Sequence, residues 1–338
     1  MEKKRIAWPD ASKGIAILLI VLIHTERGIS NAGIEADRVF WNGLYYFGYA
    51  FMVPVFFLLS GWFGALSRKG NSDRALQLLQ GLLYPYVVWT IIQMVIFNAS
   101  GVGSAESGPS LLVALRDGWM QFWFLHTLIL IFLIDLFFRL LKVPVLVRLV
   151  IATALVSIAP MIDYFPWRPV GDVFRHLFYF ELGVFLAHRC PAIFSFSRSR
   201  AATVALLAFL GVGVASYVGM GYNQPLRPVS AVLGIAGVFA LAVFLTSWKA
   251  PTLLSRVLVF CGKYSLQLFI LHIIFAAGMR VILLKFGVQI FYLHLVIGTI
   301  AGVAFPLIAA TLDQRFFGWA FRPIAGAGKR TNANATTL

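Results

Sequence analysis

The sequence predicts an all-α fold, a polytopic integral membrane bundle of about ten transmembrane helices, and three observations predict it. Apolar segments of about 20 residues recur from one end of the chain to the other, each long enough to cross a hydrocarbon core of about 30 Å. Hydrophobic residues make up 60% and charged residues only 12% of the 338 positions, with a mean hydropathy of +0.85. That balance excludes an ordinary soluble domain. Basic residues gather in alternate loops, as retention of Lys and Arg on the cytoplasmic face requires.

Hydropathy and polar breaks place the spans near 11–29, 39–66, 75–97, 119–141, 143–162, 172–189, 201–220, 228–248, 260–284 and 289–312. The first follows a basic start, Lys3-Lys4-Arg5, but carries Lys13 and lacks a small-residue cleavage site, so it is expected to stay as a helix. The second contains Pro54 and the third Pro85, which mark kinks. Arg139 and Lys142 divide the fourth span from the fifth, and the sixth closes at Arg189. Arg198 and Arg200 precede the seventh, Lys249 follows the eighth, Lys263 lies at the start of the ninth and Arg315 follows the tenth.

Counted loop by loop, one side holds Lys3–Arg5, Arg68, Lys69, Arg74, Arg139, Lys142, Arg148, Arg189, Arg198, Arg200, Lys249, Arg256, Lys263, Arg315, Arg322, Lys329 and Arg330. The other holds Arg27, Arg38, Arg116, Arg168, Arg227, Arg280 and Lys285. Both termini are therefore expected in the cytoplasm. Residues 1–322 read as one membrane domain and 323–338, rich in Gly, Ala, Thr and Asn, as a disordered cytoplasmic tail. Topology accounts for the net charge of +15, and no motif points to nucleic acid. Cys190 and Cys261 neighbour basic segments placed on the cytoplasmic side, where thiols stay reduced, so no disulfide is expected.

Chemistry concentrates in the first span. Eleven residues separate Lys13 from His24, which leaves them roughly 20° apart around a helix and about 16 Å apart along it. Asp10 shares their stripe, three residues before Lys13. Ionisable groups within a span are costly and face polar cavities, so this stripe is the candidate catalytic face. An imidazole takes a proton from a hydroxyl and returns it to a leaving group, which suits His24 to act as a base. Lys13 suits a phosphate or carboxylate, with Asp10 orienting it through an (i, i+3) pair, and Gly14 permits close approach. The competing interpretation makes His24 a helix-packing hydrogen bonder and Lys13 a snorkelling lysine, with Asp10 capping the helix N-terminus.

The chain resembles the acyltransferase family 3 integral membrane proteins in several ordered blocks. These are Arg5…Trp8-x-Asp10-x-x-Lys13-Gly14 with His24 beyond, Phe56-Phe57-Leu58-Leu59-Ser60-Gly61-Trp62, Trp123-Phe124-Leu125, and Ser265-Leu266-x-Leu268-Phe269-x-Leu271-His272. The Asp-x-x-Lys-Gly start is similar to the fucose 4-O-acetylase-like subgroup. The resemblance implies transfer of an acyl group, commonly acetyl from acetyl-CoA, to hydroxyls of cell-surface carbohydrates. It makes His24 the catalytic candidate, and the stripe itself adds Asp10 as a second catalytic candidate and Lys13 as donor-binding residue. Many members have Arg where this chain has Lys13, and the Arg-x-x-x-Arg pair of some members has no counterpart here.

Ser60, Trp123, His126, Arg175, His176, Glu181 and His272 complete a possible substrate cavity. Trp123, His126 and Trp119 form a candidate sugar-stacking wall or an interfacial belt. Arg175 and Glu181 lie on the sixth span but far from the same face, and each is equally explained as an anchor beside Asp172 or as half of a buried pair. His188 and His294 carry no assignment. The expected protein is thus a multi-pass acyltransferase of a bacterial inner membrane that takes acyl-CoA as donor substrate and binds no metal. Its expected partners are lipids and a carbohydrate or lipid-linked sugar acceptor, and an acyl-histidine relay is an alternative to direct transfer. A transporter of a polysaccharide or lipid-linked intermediate is the rival class, and a membrane scaffold or sensor the third.

Overall fold

The computed structural model describes residues 6–34, 37–67, 69–100, 109–162, 167–190, 192–193, 197–218, 227–248 and 250–323. The basic start Lys3–Arg5 and nearly all of the expected tail lie outside them. Fourteen α-helices run in chain order among the described residues. They are α1 (Trp8–Asn31), α2 (Arg38–Phe51), α3 (Pro54–Leu66), α4 (Asn71–Leu78), α5 (Tyr84–Ser100), α6 (Leu111–Asp117) and α7 (Trp123–Leu140). The remainder are α8 (Val145–Ile158), α9 (Arg168–Arg189), α10 (Arg198–Val218), α11 (Arg227–Thr246), α12 (Leu253–Lys263), α13 (Ser265–Lys285) and α14 (Phe291–Leu312). There is no strand among them, as a fold that must satisfy its backbone within lipid requires.

Eight helical stretches among the described residues are long and apolar enough to cross a membrane: Trp8–Asn31, Arg38–Leu66, Asn71–Ala99, Leu111–Leu140, Arg198–Ser216, Arg227–Thr246, Ser265–Lys285 and Phe291–Phe316. The protein is a multi-pass membrane protein. The other two expected spans are also helices, but α8 has only 14 residues, and α9 holds Arg168, Asp172, Arg175, Glu181 and Arg189. The residues expected at the start of the ninth span belong to the short α12, which turns at Tyr264 into α13.

Both expected proline sites interrupt regular helix. Proline has no N–H to donate and crowds the preceding turn, so α2 ends at Phe51 and α3 begins on Pro54. Before Pro85, residues Leu79–Leu83 widen into a π-helical turn that joins α4 to α5.

The chain forms two compact units. One comprises the described residues of Met1–Leu59 and Arg189–Ala310, the other those of Ser60–His188 and Thr311–Leu338. In the first, α1 packs on α2, α11, α12 and α13. Pro9 in the first turn of α1 costs no hydrogen bond, and Asp10 there favours the helix dipole. Gly14 lies against the Leu258 carbonyl of α12, and Gly262 of α12 lies against the Asp10 carbonyl of α1, leaving no room for a Cβ on either glycine. Small residues allow this backbone approach inside a membrane bundle. Along α14, a Cβ on Gly302 would stand 3.0 Å from Val21 and one on Gly298 2.8 Å from Thr25. As α1 advances its α14 neighbours fall in number, so the two helices run antiparallel.

In the second unit, α5 holds the segment that follows α14. Trp89 Nε1–H donates to the Ala320 carbonyl at 2.7 Å, Tyr84 Oη–H to that of Trp319 at 2.9 Å, and Asp313 accepts from the Ala320 N–H at 2.9 Å. Gln93 and Gln121 exchange amide hydrogen bonds of 3.1 and 2.6 Å, which satisfies two buried amides without water. Arg148, counted above as a loop charge, is instead 3% exposed on α8. Its Nη2 donates to Asp135 of α7 and, at 2.8 Å, to Glu181 of α9, while Arg139 Nε donates to Asp135 at 2.7 Å. Two arginines therefore balance two carboxylates, as burial of charge demands. Arg148→Met should remove about 3–5 kcal/mol of stability by stranding Glu181 and leaving Asp135 to Arg139 alone. Thermal unfolding in detergent is the check, with the added pair Asp135→Asn, Glu181→Gln restoring most of the loss.

Candidate active site

The two histidines of the first unit that the sequence singled out meet, although 248 residues separate them. His24 Nδ1 lies 2.8 Å from His272 Nε2, and the rings stack 5.1 Å apart at 15°. His272 is fully buried on α13 and His24 half-buried on α1. The direction of the bond follows from what surrounds His272. Its Nδ1 faces the Leu268 carbonyl at 3.0 Å and the Phe269 carbonyl at 2.8 Å, and carbonyls only accept. In a neutral ring the proton therefore sits on His272 Nδ1 and the lone pair on Nε2. That lone pair accepts from His24 Nδ1–H, which leaves the lone pair of His24 on Nε2. The spacing of the α13 sequence creates this arrangement, because a side chain bends back onto carbonyls three and four residues earlier in its own helix.

Asp10 and Lys13 are 5% and 7% exposed, so neither is a solvated interfacial side chain. They lie on α1 where it crosses α12 at the Gly14 and Gly262 contacts, about three to four turns before His24. Ser12, between them, is also buried and donates to the Trp8 carbonyl at 2.9 Å. The stripe expected from periodicity is thus buried at its Asp10–Lys13 end and half-buried at His24.

The remaining candidates belong to the second unit, apart from His272, and they separate into groups. Trp123 and His176 have ring centroids 5.4 Å apart, with the Arg168 guanidinium 5.9 Å from the Trp123 ring. His176 Nδ1–H donates to the Asp172 carbonyl at 2.7 Å. Asp172 itself draws Arg168 at 3.3 Å and Arg175 at 3.7 Å, the anchoring partnership expected for Arg175. His126 stands 5.6 Å from the Tyr86 ring, and Trp119 packs edge-on against Phe97 at 5.3 Å. Glu181 joins the Arg148 network, the buried pair that is one of its two readings. Ser60 is half-buried on α3 beside Gly61, which lies against the Phe180 carbonyl of α9. No group of three metal-ligating side chains occurs among the described residues. Both cysteines are free thiols, Cys190 exposed and Cys261 buried.

Sequence periodicity pointed to His24 but not to its partner. Only the position of His272 within an ordered block marked it, since helical spacing says nothing about which face of α13 meets α1. Arg148 and Asp135 escaped notice because a basic residue beside a span end reads as a topology signal.

The structure is thus that of a multi-pass helical membrane protein with an imidazole pair inside its bundle, a group whose chemistry suits acid–base work. The family model described as an acyltransferase domain matches residues 6–311, and the chain belongs to this family of acyltransferases, family 3. Comparison with curated proteins and with solved structures gives no match. Nothing supports the rival transporter class.

The tautomer assignment is open to direct measurement. With nitrogen-15 histidine in lipid at neutral pH, His24 should show a protonated Nδ1 and a bare Nε2. In His272→Phe the acceptor is gone, and His24 should revert to a tautomer mixture; an unchanged His24 spectrum would contradict the pairing.

Proposed function

We propose that the protein is an O-acyltransferase that moves an acetyl or similar small acyl group from acyl-CoA to a carbohydrate hydroxyl, and that it is similar to the fucose 4-O-acetylase-like subgroup. The observation that carries the proposal is the His24–His272 pair, whose hydrogen-bond direction leaves a basic nitrogen on His24. His24 Nε2 takes the acceptor's hydroxyl proton as its oxygen attacks the thioester carbonyl. The tetrahedral intermediate collapses with loss of the C–S bond, and the departing thiolate of CoA recovers the proton from His24. His272 holds the His24 ring and takes a share of its hydrogen bond throughout, which makes it a positioning residue.

Lys13 supports the donor end of the proposal. It lies eleven residues before His24 on the same helix, about 16 Å along the axis, a span that the extended pantetheine arm of a CoA bridges. Its ammonium serves the phosphates of the donor as a point charge, with Asp10 nearby in the same turn. In this reading the donor enters at the Lys13 end of α1, the end that charge bias favours as cytoplasmic, and the acceptor is reached from the opposite end. The surrounding membrane would be a bacterial inner membrane, and the acceptor a cell-surface or lipid-linked sugar.

The test is purified protein in proteoliposomes with labelled acetyl-CoA, following acyl transfer and release of free CoA. His24→Ala should lower the rate by about 10²–10⁴ while leaving insertion and the unfolding transition intact. Lys13→Ala should raise the KM for acetyl-CoA with little change in the KM for acceptor, and Lys13→Arg should keep substantial activity because charge persists. Full activity in folded His24→Ala protein would refute the mechanism.

A further inference from the structure

At the end of α1 opposite Lys13, three helices that pack on a single turn each carry a polar group that the chemistry above does not explain. The first is Arg280 of α13. Its guanidinium covers Gly28, one turn of α1 beyond His24, closely enough that a Cβ on Gly28 would strike Nη1. It is half-buried, and no hydrogen bond or ion pair joins it to another described residue. The nearest carboxylate in sequence, Glu26, is engaged by Ser30 Oγ–H at 2.8 Å and by Arg27 Nε at 3.8 Å. An arginine in the bundle of a membrane protein is costly unless an anion meets it.

The second and third groups belong to α2 and α14, the helices that pack on the next residue of α1. Ile29 packs with Trp41 of α2 and with Phe291 and Leu295 of α14. Within this cluster Trp41 Nε1–H is buried and without an acceptor among the described residues. His294, beside Leu295 and one turn from Phe291, donates Nε2–H to the Val288 carbonyl at 2.9 Å, so its Nδ1 carries a lone pair, and that atom too is buried and unpaired among the described residues. Buried polar atoms are rarely left so, and an unpaired donor together with an unpaired acceptor matches a hydroxyl, which accepts one hydrogen bond and gives another. A water would serve these two atoms, but it leaves the Arg280 charge unanswered.

We propose that Arg280, Trp41 and His294 form a recognition subsite for an anionic sugar, in which the guanidinium binds a carboxylate or phosphate ester and the indole and imidazole bind a neighbouring hydroxyl. The inference rests on the acyltransferase reading and deepens it: the acceptor is an acidic carbohydrate, held one turn beyond the basic nitrogen of His24. Arginine suits this task because its planar fork meets both oxygens of a carboxylate or phosphate at once.

The experiment measures binding alone, by isothermal titration of the full-length protein in phosphatidylcholine nanodiscs. The probes are methyl α-D-glucuronoside, α-D-glucose 1-phosphate and the neutral methyl α-D-glucoside. At least one anionic sugar should bind about tenfold or more tightly than the neutral one, and the two anionic arms separate carboxylate from phosphate recognition. Arg280→Met keeps a side chain over Gly28 and should erase the preference, Arg280→Lys should retain part of it, and His294→Phe should weaken all three sugars alike. Equal affinity for charged and neutral sugars, or an unchanged preference in Arg280→Met, overturns the proposal. So does loss of the preference in nanodiscs containing phosphatidylglycerol, which would give the guanidinium to a lipid headgroup. Because no acyl donor is present, failure of acyl transfer leaves this result standing, and failure of binding leaves the His24 result standing.

Discussion

Inside a bilayer a polar side chain has no water to fall back on, and each one in this bundle is stable only where the protein, or something the protein binds, supplies its partner. That constraint explains the arrangement of the charged and polar groups. Arg148 sits between Asp135 and Glu181, Gln93 faces Gln121, and the serines and threonines of several helices return their hydroxyls to a carbonyl in the preceding turn. At Arg280, Trp41 and His294 the described residues do not complete the set, and the sugar subsite proposed above rests on that departure.

Close helix approach prepares the candidate active site in a different way. Gly14 and Gly262 bring the backbones of α1 and α12 together, while Gly298 and Gly302 let α14 lie along α1. Since α1 carries Asp10, Lys13 and His24, its rigid seating against several helices sets the distance between the ammonium and the imidazole. A helix is a ruler of about 1.5 Å per residue, and here the ruler is clamped at both ends. Precision of this kind favours transfer between two bound partners, because most of the gain from positioning disappears when the reacting groups drift by about 1 Å.

Much of the fold was legible in the sequence because membrane helices announce themselves by composition, and eight of the ten expected spans meet that criterion. The exceptions have physical causes. The α9 helix mixes five charged residues into its apolar surface, which lowers its hydropathy while its polar groups find partners inside the second unit. Pro54 did more than kink a helix, since a residue without an N–H is most cheaply placed at a helix start. For the site, periodicity located Lys13 and His24 on one face because that question is local. The pairing of His24 with His272 was beyond its reach, because it depends on the rotation of two helices that lie 248 residues apart in the chain. Arg148 misled for the same reason: its partners Asp135 and Glu181 are on other helices, and sequence alone gives a charge no address.

The carbonyls that orient His272 belong to Leu268 and Phe269, the residues four and three places before it in its own helix. Many paired histidines depend on a carboxylate from elsewhere, and such a partner is lost by a single substitution. Here the orienting groups are main chain, present whatever side chains occupy positions 268 and 269. The geometry of the pair is therefore inherited from the helix itself, and any substitution at these buried positions that keeps the helix and its packing leaves the proton where it resides.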